Sequence, residues 1–251
     1  MTTDIATFLE AQSDTACATS LPFTATPRNT ILHGDCLDIL PGLPAQSVDF
    51  VLTDPPYVSR YCDRKGRTIP NDRFKWLRPG FADLHRVLKP DSFCVCFYGW
   101  AHIDKFAAAW NAAGFRPVGH LAFPKRYTSA TRFLRYQHEG AYLLAKGDPP
   151  EPRHPFGDVI EWTDYTGNRL HPSQKPITML LPLIDNFSTP GGLVLDPFAG
   201  SGSSLLAAKM LGRAWLGIEL DADYQAVANR RLGETQAVPG ELQVMVQEIA
   251  P

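Results

Sequence analysis

At 251 residues and 44% hydrophobic content, the chain is one globular domain with a sizeable core, and no apolar run approaches the length of a membrane span. Its formal net charge of -2 excludes a protein that is basic throughout. Its five cysteines include no C-x-x-C pair, so neither a zinc site nor a disulfide framework is indicated. The opening "MTTDIATFLEAQSDTACATS" carries acids and lacks the basic end and apolar block of a secretion signal, so a cytoplasmic enzyme is the expectation.

Strand-like and helix-like segments alternate along the chain. Residues 1–28 read as a peripheral extension. "TILHGD" and "VDFVLTD" are the first strands, and the second breaks on Pro55 and Pro56, which cannot donate to a ladder. "FADLHRVLKP" reads as the end of a helix stopped by Pro90. "FCVCFYGW" is a strand whose Cys94 and Cys96 share one buried face as small hydrophobes, and "AHIDKFAAAWNAAG" is a helix closed by Gly114. "GHLAFPK" and "EGAYLLAKG" are further strands, and "PITMLLPLIDNFS" is a helix that Pro182 kinks or restarts. Strand "GLVLDPF", helix "SSLLAAKMLG", strand "AWLGIEL" and helix "DADYQAVANRRLG" follow, and "ELQVMVQEI" alternates as a short strand in a tail over 233–251. This βα alternation implies an α/β fold, with a mostly parallel sheet covered by helices on both faces.

Ligands in such sheets bind at the carboxyl ends of the strands, where Asp35, Asp54, Asp196 and Glu219 fall. "LDPFAGSGSSLLAA" puts Gly200 and Gly202 in a strand-to-helix turn, and Glu219, 23 residues after Asp196, is placed to grip the hydroxyls of a ribose. A dinucleotide site would want a third glycine where Leu205 stands, so the close helix approach is missing, and Asp196 would repel a pyrophosphate. S-adenosyl-L-methionine (SAM), with a sulfonium cation and no phosphate, suits an acid beside the turn.

"DPPY", "HPSQKP" and "LDPFAGSGSS", in that order, resemble the amino-group DNA methyltransferases that modify adenine N6 or cytosine N4. The order matches their β class, a circularly permuted SAM-methyltransferase fold, and the resemblance covers roughly residues 29–232, the expected catalytic domain. It implies that Asp196, Pro197, Phe198, Ala199, Gly200, Ser201, Gly202 and Ser203 wrap the methionine end of SAM. Glu219 with Leu220 would hold the ribose, and Asp35 and Cys36 would sit near the adenine. From "HPSQKP", His171, Ser173 and Lys175 would contact the methionine moiety, Ser173 and Lys175 at its carboxylate.

The resemblance also gives the opening tetrapeptide a mechanism. An adenine amino nitrogen is a poor nucleophile because its lone pair is delocalised into the ring. Asp54 and the Pro55 carbonyl would each accept one N–H, with Pro56 helping to fix the turn, so that the lone pair points at the sulfonium methyl. Tyr57 would stack on the flipped-out base, and Asp54 also borders the donor. No metal takes part.

Double-stranded DNA is the expected partner, methylated at adenine within a short or degenerate site, as in a restriction-modification setting. Two aromatic-studded basic loops, at about 58–75 and at 124–138 within a recognition region reaching 170, would meet phosphates through Arg64, Lys65, Arg67, Lys125, Arg126, Arg132 and Arg135. The class is often dimeric, so a homodimer is a further expectation. Cytosine N4 is the rival target, and a non-catalytic DNA-binding protein on the same fold is the rival of another class. RNA or protein-glutamine methyltransferases typically place the glycine loop before the tetrapeptide, opposite to the order here.

Overall fold

The apolar segments "VDFVLT" and "FCVCF" lie at the centre of a sheet buried on both faces, which is why they read as nearly continuous hydrophobic runs. The computed structural model describes residues 22–57, 73–130, 133–152, 154–162, 170–171 and 174–235. Within them seven strands form one sheet: β1 (Thr30–His33), β2 (Val48–Thr53), β3 (Leu88–Phe97), β4 (Arg116–Ala130), β5 (Arg135–Lys146), β6 (Leu193–Asp196) and β7 (Ala214–Glu219). Their order is β1-β7-β6-β2-β3-β5-β4. The first five in that order pair in parallel, and β5 runs antiparallel to both β3 and β4. The helices are α1 (Cys36–Ile39), α2 (Leu77–Val87), α3 (Ile103–Ala113), α4 (Ile177–Phe187), α5 (Ser203–Met210) and α6 (Ala222–Glu234).

Alternation along the central strands divides the core into two layers. Phe50, Leu52, Val95 and Phe97 pack with Leu180 and Ile184 of α4, Leu205 of α5 and Ala228 of α6. Val51, Cys94 and Cys96 pack on the other face with Phe81 and Leu84 of α2 and Phe106 and Trp110 of α3. Each fully buried Phe or Leu contributes about 1.5–3 kcal/mol of transfer free energy. Burial pushes both thiols up, so Cys94 and Cys96 act as packing groups.

Several local expectations shift. α2 stops at Val87, and Leu88 at once begins β3. Pro90 and Asp91 (φ 52°) instead occupy a widening of β3, where the register jumps from Val48↔Leu88 to Phe50↔Phe93. α4 runs through Pro182 without restarting. Most of the basic stretch at 124–138, read as a loop, is the far end of the β4–β5 hairpin, whose pairing continues to Ala130↔Arg135. Asp158 to Trp162 then hydrogen-bonds along the free edge of β4. Residues 1–21 and 236–251, with the "ELQVMVQEI" strand, lie outside the described residues.

The helix approach that Leu205 seemed to forbid is made from the strand side. Gly217 of β7 has no Cβ, and one placed there would lie 2.5 Å from the Leu205 side chain, so the glycine lets α5 seat against the sheet.

The connections set the position of the site. The chain leaves β2 towards β3 on one side and leaves β6 towards β7 on the other, while β2 and β6 lie side by side through Phe50↔Val194 and Val51↔Leu195. The crevice beyond their carboxyl ends is the topological switch point, and it carries Asp54 and Asp196.

Candidate active site

Asp54 follows β2 directly, and the two prolines after it end the ladder. The Tyr57 hydroxyl donates to its Oδ1 at 2.5 Å, and the Lys175 ammonium donates to its Oδ2 at 2.5 Å. Lys175 also lies 3.2 Å from Oε2 of Glu139 on β5, a contact without an aligned hydrogen bond. The other oxygen of Glu139 meets the Lys125 ammonium at 2.6 Å. Four charges of alternating sign thus run from the sheet crevice into the β4–β5 hairpin. The Lys175 side chain is only 6% exposed, and its ammonium sits 4.9 Å from the Phe97 ring centre.

Burial pushes the Asp54 carboxyl up, Lys175 works against this, and Glu139 adds to it. Burial alone would disfavour the Lys175 cation, but Asp54 and Glu139 together hold it protonated and raise its pKa. Burial likewise opposes the Glu139 charge, and the two lysines override it, leaving that carboxyl below its usual range. Tyr57 is raised by burial and by the carboxylate it faces, so it stays a hydroxyl donor. Its seat depends on Gly99 after β3, where a Cβ would fall 2.8 Å from that of Tyr57.

The glycine-rich turn is built differently. Asp196 ends β6 and accepts the Phe198 N–H at 3.0 Å and the Ser204 hydroxyl. Burial pushes its carboxyl up to about 7, with no lysine or arginine among the described residues alongside to oppose the shift. Glu219 ends β7 and accepts the N–H of Gly200 at 2.6 Å and of Asp221 at 2.9 Å, and burial raises it too. Gly200 (φ 51°) brings the turn against the His171 ring, 3.4 Å from where a Cβ would stand. Gly202 (φ 78°) caps α5 and faces Ala228, so it shapes the turn from behind and lines neither cavity.

Two cavities meet at Asp54, His171, Phe198 and Gly200. The larger, about 680 Å³, is bounded by Asp35, Cys36, Pro55, Pro56, Tyr57, Pro197, Glu219 and Leu220. The smaller, about 430 Å³, is bounded by Lys175, Asp196, Ala199, Ser201 and Ser203. Nearly all the residues singled out for the methyl acceptor and donor therefore converge. Ser173 lies outside the described residues. Gly34, Thr53, Phe97, Gln174 and Ser204 also line the cavities and were not anticipated, although Gln174 and Ser204 stand inside the quoted motifs. The Thr53 hydroxyl is buried and has no hydrogen-bond partner among the described residues. No group of His, Cys, Asp or Glu among the described residues could hold a metal ion.

Two lysines pair with carboxylates of the protein. Lys125, expected at DNA phosphates, has a side chain only 9% exposed and is committed to Glu139, because the basic stretch forms a strand with alternating faces. Lys175, expected at a donor carboxylate, has its ammonium between Asp54 and Glu139. Arg126 and Arg135 are exposed on the hairpin, whereas Arg64, Lys65, Arg67 and Arg132 lie outside the described residues. Near them Phe133 is 81% exposed, and the Trp100 and Tyr136 rings stack with centres 5.7 Å apart. No helix among the described residues is long and apolar enough to cross a membrane.

Residues 48–230 match the family model described as DNA methylase, N6_N4_Mtase. A protein of Escherichia coli (strain K12), YubD, described as a candidate methylase, is 50% identical over 206 residues, covering 82% of this chain and 90% of its own length. The DNA adenine methyltransferase YhdJ of the same organism is 28% identical over 245 residues, 81% of this chain and 82% of that one. In fold, the chain is similar to the cytosine-N4-specific PvuII DNA methyltransferase, with a TM-score of 0.69 at 18% identity, covering 90% of this chain and 93% of that one.

Proposed function

The chain belongs to the N6/N4 DNA methylase family, whose methyl donor is SAM, and on that premise we propose that it methylates N6 of a flipped-out adenine in double-stranded DNA within a short recognition sequence. One observation carries this reading: Asp54 borders both cavities, the smaller with Asp196 and the larger with Tyr57 and Glu219, so one carboxylate adjoins the residues expected for donor and acceptor together.

The residues present fit the donor. Asp196 has no lysine or arginine beside it among the described residues and offers a carboxylate to a cationic ligand, and Glu219 lies in the larger cavity with its carboxylate at a strand end. The orphaned Thr53 hydroxyl in the smaller cavity adds a hydrogen-bonding group awaiting a partner. Bound there, SAM supplies an electrophilic methyl on a sulfonium. Asp54 and the Pro55 carbonyl accept the two amino hydrogens and steer the nitrogen lone pair, and Asp54 takes the proton released on transfer. Tyr57, pinned by Gly99 and by its bond to Asp54, offers a ring on which the extruded base stacks for about 1–3 kcal/mol. Arg126, Arg135 and the exposed aromatic residues of the β4–β5 hairpin meet the duplex.

Adenine is favoured over cytosine by Asp in the first position of the tetrapeptide and by the name of the relative YhdJ. Incubation with methyl-labelled SAM and duplex DNA, digestion to nucleosides and mass identification should yield N6-methyladenine. N4-methylcytosine would overturn the choice of base, and unlabelled nucleosides would overturn the activity. Asp54→Ala should lower transfer about 10²–10³-fold while SAM binding persists.

A further inference from the structure

We propose that Glu139 is a positioning residue for methyl transfer: from β5 its charge, set against the Lys175 ammonium, offsets part of that cation's pull on Asp54, keeping the carboxylate basic enough to accept the amino hydrogens and then a proton. This rests on the function proposed above. In the step the amino nitrogen gains the methyl carbon as the carbon–sulfur bond breaks towards sulfur, and one amino proton passes to Asp54.

The geometry is that of a shared cation. Lys175 is 2.5 Å from Asp54 and 3.2 Å from Glu139, and its side chain is almost wholly buried, so the two carboxylates compete for one ammonium. Lys175 already pairs closely with Asp54, and with no second carboxylate nearby its full charge would leave Asp54 a weak acceptor. A buried Asp54 with no cation would take up a proton and cease to accept at all. Glu139 sets the balance between these extremes. Lys125, 2.6 Å from its other oxygen and itself largely withdrawn from solvent, keeps Glu139 ionised. Two carboxylates and two ammonium groups sum to no net charge, which makes the partial or full burial of all four tolerable.

The groups facing Asp54 are Tyr57 on the turn after β2, Cys96 on β3, Glu139 on β5, His171, Lys175 before α4 and Asp196 on β6. Tyr57 and Cys96 stay protonated because burial raises both. Asp196 is retained in every variant below, so differences between variants originate at Glu139 and Lys175.

The test is carboxyl-carbon NMR titration of Asp54 in the free, full-length protein, assigned with Asp54→Asn, beside single-turnover methyl transfer to duplex DNA across pH. Glu139→Gln should lower the Asp54 midpoint by on the order of one pH unit and Lys175→Met should raise it. Transfer by Glu139→Gln should fall about ten- to a hundredfold, with its acidic limb moved to lower pH and SAM affinity unchanged. Glu139→Asp, which keeps the charge but withdraws it by one methylene, should fall between, and it carries the test if the glutamine variant does not fold. An unmoved midpoint, or a loss of activity traced to SAM affinity alone, would overturn the proposal. If the wild-type protein transfers no methyl group, the proposed activity fails, and the free-protein titration still decides whether Glu139 governs Asp54.

Discussion

The two halves of the crevice handle buried carboxylates in opposite ways. On the β6–β7 side, Asp196 and Glu219 are held by backbone N–H groups and a serine hydroxyl, and no lysine or arginine among the described residues opposes the burial that raises them. On the β2–β5 side, Asp54 and Glu139 share Lys175, and Lys125 completes the compensation. Neutral donors leave a carboxylate hungry for a cation, which suits a site whose proposed ligand brings one. A neutral adenine brings none, so the protein must supply the counter-charge to keep Asp54 ionised. Whether a buried acid is compensated thus identifies the charge of what it is built to meet.

Breaking the compensated half should have the largest effect. Lys175→Met leaves Asp54 and Glu139 as buried acids with one cation between them, and should destabilise the chain by about 3–5 kcal/mol in urea unfolding at neutral pH. That loss should shrink as pH falls, because Asp54, raised further without its lysine, can be neutralised by a proton that the unfolded chain does not hold.

The uncompensated half should respond with the opposite sign. Asp196 sits at about 7 in the folded chain against an ordinary 3.8, so the native state retains a proton that the unfolded state releases between those values. Its contribution to stability therefore declines as pH rises through that window. Asp196→Asn should be more stable than wild type above pH 7, by on the order of 2–4 kcal/mol, while losing most SAM affinity. Wild-type SAM affinity should in turn rise with pH as Asp196 ionises, a dependence absent from the variant when measured by calorimetry.

Glu219→Gln sharpens the contrast with the smallest effect. An amide oxygen can still accept from Gly200 but its NH2 cannot accept from Asp221, so stability should fall by about 1 kcal/mol. The SAM dissociation constant should nevertheless rise about tenfold, a charged acceptor having been replaced by a neutral one.

How much of this was legible beforehand depended on distance along the chain. The strands, the switch-point acids and the glycine turn announce themselves through local periodicity and short spacing, as in "VDFVLTD" and "LDPFAGSG". Lys125 misled because a basic cluster reads as a solvated or DNA-facing loop until strand pairing assigns one of its faces to the interior. Gly99 and Gly217 carried no motif, since each matters only for the side chain that packs onto it from elsewhere.

The sequence by itself determined the elements, the family and the tetrapeptide, because dihedral restriction by proline and glycine and the period of burial act between near neighbours. Only the tertiary structure decided which charges meet. Lys175 and Glu139 are 36 positions apart, and they touch because β5 runs antiparallel beside β3 and turns its acid towards the end of β2. Coulombic pairing depends on separation in space and on the surrounding dielectric, and neither is written in the order of residues.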